Sequence, residues 1–425
     1  MDHHALAGEP LSTPDPSLGP GFVAPRYDGR GIANVAPAIL RLFGIEDAHP
    51  GLDEAVLPPA LTEGVRRVVC LVVDALGYRQ LLDEIDRQPD LYLAQLIRRD
   101  GTSFAPLTSV FPSTTVAATT TLNTGAQPAE HGILGYTLWL RELGAVSEMI
   151  RFGPYAGLWT YADAGVDPDA FQPVPPIHAR LRAAGVAPYM VNALAYRDSA
   201  LTRMYSGGAE YLPYLGLTDM AAHIRRLVEA PAPERMAIGA YYGGLDGVCH
   251  LYGTRGAEHA AEVAAIDAVL RRELFEPIRR PDTLFLLLAD HGHVNCTPER
   301  TIDLVADHPA LLRDLVVPPT GEGRARYLHV RDGRRAAARD YLAEHFGAIS
   351  TVLDGEEALA RGLFGTLPPI PHARERIGDF VLLPHENWYF HHYPTERLKR
   401  LPTIGRHGGL APEEMLVPFL ALRLG

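Results

Sequence analysis

A hydroxyl-rich stretch at residues 111–125, FPSTTVAATTTLNTG, has the residue types of a site for an anionic group. Ser113 and Thr114 favour the start of a helix, and residues 123–125 favour its end. The first turn of a helix presents free N–H groups and the positive end of the helix dipole, so an anion such as phosphate is stabilised beside it. A capped, threonine-rich packing helix has the same pattern, so this stretch alone does not define a site.

Acidic and histidine residues follow two continuous hydrophobic runs. Asp74 comes directly after residues 68–73, VVCLVV, and Asp290 and His291 come just after residues 284–288, LFLLL. Continuous apolar runs are typical of parallel strands that are buried on both faces, and ligands bind at the carboxyl ends of such strands. Asp74 is equally suited to capping the helix that we expect from residue 78.

Two further segments carry residues of the same types. Asp246 and His250 are four residues apart after the strand-like residues 236–242, so they share one face of a helical turn and can bind one ion. His407 lies in a glycine-flanked loop before a final apolar strand at residues 417–422. If the hydrophobic strands are parallel, all these side chains meet at one edge of the sheet. Burying several charges together is costly unless metal ions neutralise them.

Composition excludes several other classes of protein. The 425 residues are 47% hydrophobic and 21% charged, as in an ordinary globular protein, and the net charge of -12 argues against a nucleic-acid surface. Three scattered cysteines predict neither a disulfide framework nor a zinc ribbon. We find no signal peptide and no apolar run long enough for a membrane span. We therefore expect a cytoplasmic protein with no membrane partner, and leave its oligomeric state open.

The remaining segments predict an α/β domain with additions. We expect an N-terminal arm and a short helix at residues 1–65 and one catalytic domain at residues 66–425, in which residues 136–231 and 301–394 are insertions or lid-like regions. Residues 78–100 predict two helical pieces broken at Pro89, and residues 257–280 predict a covering helix with His259 and Glu262 in solvent. The aromatic residues of the first insertion could line a pocket or form a small core, and the core is favoured for most of them. His131, which precedes a glycine in a turn, is interpreted as a structural hydrogen-bonding residue.

The ordered set of motifs VVDALG, FPSTT, GLDGVCH, ADHGH and RHGGL resembles the alkaline phosphatase superfamily, and within it the type I phosphodiesterase/nucleotide pyrophosphatase branch. The motifs cover nearly the whole chain after the arm. The resemblance implies a three-layer α/β/α sandwich with a mostly parallel central sheet and insertions beside the active site. It also implies a phosphoric ester hydrolase with two divalent metal ions, zinc before manganese.

The resemblance further assigns roles to residues. One ion would bind Asp246, His250 and His407, and the other would bind Asp74, Asp290, His291 and the nucleophile's oxygen. Three ligands with an open position suit catalytic zinc, and paired ions can clamp both the attacking and leaving oxygens. The register of the family's motif selects Thr115 as the nucleophile, with Thr114 as the alternative after a one-residue slip.

Two positions depart from the branch's pattern. Val116 stands where the branch often has an aromatic residue, and Ala118 stands where it commonly has an asparagine that contacts a phosphoryl oxygen. We therefore expect a small phosphorylated substrate with phosphodiester or pyrophosphate hydrolysis first, and a phosphomonoesterase or phosphonate hydrolase second. A phosphomutase is disfavoured, and a metal-binding subunit of a larger assembly is the non-catalytic alternative. The motifs show no arginine placed to bind a monoester's extra charge.

Overall fold

The structure is a computed structural model that describes residue 15, residues 17–392 and residues 403–425. Strands and helices alternate through the first two thirds of this part of the chain. The strands are β1 (Arg67–Val73), β2 (Ser103–Thr108), β3 (Thr137–Leu140), β4 (Ala145–Glu148), β5 (Gly153–Pro154), β6 (Ala187–Ala193), β7 (Glu210–Tyr214), β8 (Met236–Tyr242), β9 (Arg280–Leu288), β10 (Val294–Asn295), β11 (Thr301–Asp303), β12 (Thr320–Glu322), β13 (Ala325–Leu328), β14 (Ser350–Asp354), β15 (Phe380–Pro384), β16 (Tyr389–His391), β17 (Gly405–Arg406) and β18 (Leu416–Leu424). The helices are α1 (Val35–Leu42), α2 (Pro59–Thr62), α3 (Tyr78–Arg87), α4 (Tyr92–Leu96), α5 (Thr115–Thr124), α6 (Pro128–His131), α7 (Pro168–Phe171), α8 (Ile177–Ala183), α9 (Ala200–Ser206), α10 (Leu217–Glu229), α11 (Gly244–Tyr252), α12 (Ala257–Leu270), α13 (Pro309–Arg313), α14 (Arg335–Phe346), α15 (Gly355–Ala360), α16 (Ala373–Ile377) and α17 (Pro412–Met415).

The central sheet has seven strands in the order β2-β18-β9-β1-β8-β6-β7. Strands β9, β1, β8, β6 and β7 are parallel to one another, whereas β18 is antiparallel to both β9 and β2. The apolar runs in β1 and β9 lie at the centre of the sheet, where burial on both faces requires them. The predicted mostly parallel α/β fold is confirmed.

This topology brings the chemically interesting segments to one edge. The carboxyl ends of β1, β8 and β9 lead directly to Asp74, to α11 and to residues 290–293. Strand β2 runs in the same direction as β9 because β18 is antiparallel to both, so its carboxyl end, and the loop to α5, lie at that edge too. The amino end of the reversed strand β18 brings the loop with His407 to the same place.

A second sheet of seven strands was not predicted. Its strands follow the order β14-β15-β13-β12-β3-β4-β5, and all its pairs are antiparallel. It draws on both ranges that the sequence suggests as insertions, but β6 and β7, which lie within residues 136–231, belong to the central sheet. The proposed domain boundaries stay a prediction.

The helices agree with the sequence pattern except at α12. Helices α3 and α4 are separated around Pro89, as predicted. The predicted helix over residues 257–280 is too long, since α12 ends at Leu270, a π-helical turn follows at Arg271–Phe275 and β9 begins at Arg280. The expected exposure of His259 is wrong, because it is fully buried and its Nδ1 lies 3.0 Å from the buried Glu84, whereas Glu262 is half-buried and accepts a hydrogen bond from Tyr242. No helix in the described part of the chain is long and apolar enough to cross a membrane.

A buried ion pair connects the second sheet to the loop of His407. Arg324, between β12 and β13, donates to the carboxylate of Glu414 in α17, and both side chains are fully buried. Glu414 also accepts from the backbone N–H groups of Gly409 and Ala411, just after His407. These bonds satisfy the buried carboxylate and fix the loop against the second sheet.

The substitution Glu414→Gln leaves the buried guanidinium of Arg324 without a counter-charge. We expect it to lower the free energy of unfolding by about 3–5 kcal/mol, the usual cost of breaking a buried pair. Denaturant unfolding measures this loss. The matched control is Glu234→Gln, which breaks an exposed pair with Arg66 and should have little effect. Equal effects of the two substitutions would contradict the role of the buried pair.

Candidate functional site

Thr115 is the first residue of α5 and its hydroxyl faces the acidic and histidine residues. The helix begins after the extended residue Thr114 and ends at Gly125, whose φ of 77° is the left-handed conformation that glycine adopts without strain. Thr115 Oγ1 lies 3.1 Å from His291 Nε2. Thr114 is only 1% exposed, whereas Thr115 is half-buried, so Thr115 presents the accessible hydroxyl.

Three predicted residues form a first compact group beside Thr115. One ligand atom from each of Asp74, Asp290 and His291 lies within 4.8 Å of the others. His291 Nε2 is 3.5 Å from Asp74 Oδ1 and 3.5 Å from Asp290 Oδ2. Tyr241 donates its hydroxyl to Asp74, and the backbone of Ala75 donates to Asp290 Oδ1. The capping alternative for Asp74 is not what the structure has, since the residue before α3 is Gly77 and Asp74 faces the cluster.

A second group includes a residue that sequence reasoning missed. Ligand atoms of Asp246, His291, His293 and His407 lie within 4.8 Å of one another. His293 is fully buried, and its Nε2 lies 2.8 Å from Asp246 Oδ1. The signal in the sequence is the second imidazole in DHGH, where only Gly292 separates His293 from His291. His250 is not a member of this group, although its Nε2 is 3.5 Å from Asp246 Oδ1.

Backbone carbonyls orient two of the imidazoles. The Nδ1 atom of His250 lies 2.9 Å from the carbonyl oxygen of Gly405, and that of His407 lies 3.1 Å from the carbonyl oxygen of Ser113. When Nδ1 carries the proton and donates it to the carbonyl, Nε2 keeps a free electron pair. This is the arrangement in which an imidazole binds a metal ion.

The charges in the site fit bound cations. Asp74 Oδ1, Asp290 Oδ2 and His293 Nδ1 are buried and have no hydrogen-bond partner among the described residues. Burial, together with the carboxylates of Asp290 and Asp246, raises the pKa of Asp74 well above its usual value. Burial and the neighbouring imidazoles lower the pKa of His407 well below its usual value, so that ring is neutral. Crowded carboxylates beside neutral imidazoles are the donor set of a divalent metal site.

The two departures from the branch's pattern are buried. Val116 and Ala118 are fully buried in α5 and pack into the two hydrophobic cores. The site instead opens into a cavity of about 170 Å³ that His250 and His407 line together with the aromatic residues Tyr136, Tyr155 and Tyr389. Of the first insertion's aromatic residues, Tyr136 and Tyr155 line this cavity, Tyr161 is buried in the core, Trp139 is half-buried and Trp159 is exposed, so the expectation that most of them form a core is wrong.

Comparison with protein families gives a match over most of the chain. The model described as type I phosphodiesterase / nucleotide pyrophosphatase matches residues 68–410. Together with the mostly parallel sheet, this match places the chain in the alkaline phosphatase superfamily. The chain belongs to the type I phosphodiesterase/nucleotide pyrophosphatase family, so the predicted family and the predicted enzyme class, phosphoric ester hydrolase, are confirmed. No curated protein matches the chain significantly.

Solved structures with the same fold come from distant relatives. The chain is similar to murine ectonucleotide pyrophosphatase/phosphodiesterase 5, with 19% identity, a TM-score of 0.61 and coverage of 83% of this chain and 87% of that one. It is also similar to phosphonoacetate hydrolase from Sinorhizobium meliloti 1021, with 19% identity, a TM-score of 0.59 and coverage of 84% and 89%. At these identities the similarity establishes the fold.

The substitution His293→Asn tests whether this buried residue belongs to the metal centre. We expect it to weaken the affinity for one of two zinc ions by about 10- to 100-fold, because it removes either a ligand or the partner that orients Asp246. Titration calorimetry of the metal-stripped protein measures this affinity. The control is His223→Asn in α10, away from the cluster, which should bind both ions as the unmodified protein does. Unchanged zinc binding by the His293 variant would exclude it from the centre.

Proposed function

We propose that this protein is a metal-dependent hydrolase of phosphodiester or pyrophosphate bonds that acts through a phospho-threonine intermediate on Thr115. The observation that carries the proposal is the position of the Thr115 hydroxyl, 3.1 Å from His291 within a cluster of buried carboxylates and imidazoles. Membership of the phosphodiesterase/nucleotide pyrophosphatase family supports the same type of reaction.

Two divalent ions would complete the site, zinc in the first instance and manganese as the alternative. Asp74, Thr115, Asp290 and His291 would hold one ion, and Asp246, His250 and His407, with His293 beside them, would hold the other. Bound at these positions, the ions supply positive charge that lowers the pKa of a hydroxyl and stabilises developing negative charge on oxygen. The buried, unpartnered oxygens of Asp74 and Asp290 support this assignment.

The reaction proceeds in two displacements. Thr115 Oγ1 loses its proton to solvent and forms a bond to phosphorus, while the bond from phosphorus to the leaving oxygen breaks and that oxygen keeps the electron pair. Water then attacks the phospho-threonine, the bond between Thr115 Oγ1 and phosphorus breaks, and the hydroxyl is restored. The amino end of α5 directs its N–H groups at the phosphoryl oxygens, where they stabilise negative charge in both steps.

The solved relatives support a small phosphorylated substrate. One structure of the murine relative is an inactive form in complex with AMP, and the bacterial relative was solved with phosphonoacetate. Hydrolysis of a phosphate monoester or a phosphonate is therefore the second candidate. The observation that favours it is the buried Ala118, which has no amide group to donate to a phosphoryl oxygen.

We propose a cytoplasmic enzyme without a nucleic-acid or membrane partner.

The substitution Thr115→Ala removes the proposed nucleophile. We expect it to lower kcat for metal-dependent hydrolysis of bis-p-nitrophenyl phosphate by at least about a thousandfold, because no other group can replace the attacking oxygen. Release of p-nitrophenolate measures the rate. Thr120→Ala, in the same helix with its hydroxyl bonded to the carbonyl oxygen of Val116, is the control and should remain active.

The outcome of a third variant completes this test. If Thr114→Ala is inactive and Thr115→Ala is active, the nucleophile lies one residue earlier. If both variants retain activity, the phospho-threonine mechanism is wrong. If the unmodified protein binds metal but hydrolyses no phosphoryl substrate, the alternative of a metal-binding subunit is favoured.

Comparison of two chromogenic substrates separates the leading function from the second candidate. We expect a higher kcat/KM for bis-p-nitrophenyl phosphate than for p-nitrophenyl phosphate in the presence of zinc or manganese. A chelator should abolish both activities, since the carboxylate cluster has no other counter-charge. A preference for the monoester would reverse the order of the two candidates.

A further inference from the structure

The cavity beside His250 and His407 is lined by two arginines that have no role in the proposed hydrolysis. It is about 170 Å³ in volume, and its walls come from the second sheet and from residues 389–392. It borders the residues grouped around Asp246, whereas the group formed by Asp74 and Asp290 does not line it. The cavity therefore adjoins the Asp246 side of the cluster and not the Asp74 side.

Two guanidinium groups line this cavity. Arg326 in β13 is only 6% exposed and uses Nε to donate to the carbonyl oxygen of Phe390, at 2.9 Å. The guanidinium of Arg406 lies over the ring of Tyr389, 4.3 Å from its centroid. Within the described ranges, neither arginine has a carboxylate partner within 4.0 Å. A guanidinium held by an aromatic ring and a carbonyl keeps its remaining N–H groups available for a planar or tetrahedral anion.

A buried histidine in the same wall lacks its expected partners. His392 is 5% exposed, and neither of its ring nitrogens has a hydrogen-bond partner in the part of the chain that the structure describes. Buried polar groups are nearly always hydrogen-bonded, so this ring indicates a ligand in the cavity. Burial and the nearby charge of Arg326 lower the pKa of His392 to about 4, which makes the ring a neutral donor.

The carboxylates of the cavity do not cancel its positive charge. Glu148 already accepts hydrogen bonds from Tyr136 and from Arg151. Glu322 accepts from the backbone N–H of Tyr136, and burial raises its pKa to about 7. The charge of Arg326 attracts the Glu322 carboxylate, but the two groups do not form an ion pair within 4.0 Å. Among the described residues, Arg326 and Arg406 are therefore the cations of this cavity without an ion-pair partner.

We propose that this cavity binds an anionic group, phosphoryl or carboxylate, carried by the leaving portion of the substrate. The inference rests on the proposed function in one respect. In-line attack by Thr115 places the leaving oxygen on the far side of phosphorus, towards Asp246, His250 and His407, which is where the cavity opens. The substrate class is then a phosphate diester or anhydride whose leaving group bears a second negative charge.

The test compares leaving groups in the metal-loaded, full-length protein. The first probe is bis-p-nitrophenyl phosphate, whose leaving group carries a neutral substituent. The second is bis(4-carboxyphenyl) phosphate, whose leaving group carries a carboxylate. The third is thymidine 5′-diphosphate, whose leaving group carries a phosphoryl group. We expect R326Q and R406Q to lower kcat/KM for one or both anionic probes by about 10- to 100-fold, the value of a lost charge-assisted hydrogen bond. The loss for bis-p-nitrophenyl phosphate should be several times smaller. The affected probe identifies the group as carboxylate or phosphoryl.

The control is R272Q, which alters an exposed arginine outside the cavity and should leave all three rates as they are. Arg406 is only half-buried, so R406Q carries the test if R326Q fails to fold. If both arginine variants lose the same factor on all three probes, the cavity does not recognise charge on the leaving group and the inference is wrong.

A binding measurement separates this inference from the proposed function. Calorimetry measures the affinity of 4-hydroxybenzoate and of inorganic phosphate for the metal-loaded protein and for R406Q. If the unmodified protein hydrolyses none of the probes but R406Q binds either anion at least about tenfold more weakly, the proposed function fails and the anion site stands. If bis-p-nitrophenyl phosphate is hydrolysed while R406Q affects neither binding nor the preference among probes, only the anion site is wrong.

Discussion

Electrostatic repulsion among buried carboxylates is the constraint on which the site depends. Asp74, Asp246 and Asp290 lie at the carboxyl ends of neighbouring strands, and burial together with the charges of Asp290 and Asp246 raises the pKa of Asp74, so its ionised form is disfavoured. Hydrogen bonds from Tyr241 and from the backbone of Ala75 offset only part of this cost. Burial lowers the pKa of His293 and of His407, so these two rings add ligand atoms without adding charge. Divalent ions are the one partner that satisfies both kinds of group at once.

The fold could be predicted from the sequence where local pattern and burial coincide. The apolar runs of β1 and β9 correspond to central strands, and the glycine that follows α5 ends that helix as predicted. The second sheet could not be predicted, because its strands are two to five residues long and, in the described part of the chain, its two halves are joined only by the pairing of Gly321 in β12 with Thr137 in β3, distant in the sequence. The burial of His259 was missed for a related reason. Its partner Glu84 is on helix α3, far away in the sequence, and only the folded chain brings the two side chains together.

The sequence predicted the site residues that lie within the motifs, but not those outside them. The resemblance placed Thr115 beside His291, and the structure brings these residues together with Asp74 and Asp290. His131 forms the structural hydrogen bonds expected of it, with Thr121 and with the backbone of Ile133. His293 was missed because the repeated imidazole in DHGH, its one signal in the sequence, does not by itself distinguish a metal ligand from a structural histidine. Arg326 lies outside all of the motifs, in the stretch between His293 and Arg406, so only the folded chain shows that it lies near the cluster.

The bond between Arg324 and Glu414 has a consequence for how specificity can change in this family. It connects the wall of the cavity beside His407 to the loop that contains His407, and Arg324 also donates to the carbonyl oxygens of Glu386 and Trp388 near the same wall. If this wall were replaced by that of another enzyme without the matching loop, the imidazole of His407 would be displaced. A recombination experiment that exchanges the cavity wall must therefore transfer residues 320–328 and 405–415 together. Single substitutions at the cavity surface leave the bond between Arg324 and Glu414 intact and do not have this requirement.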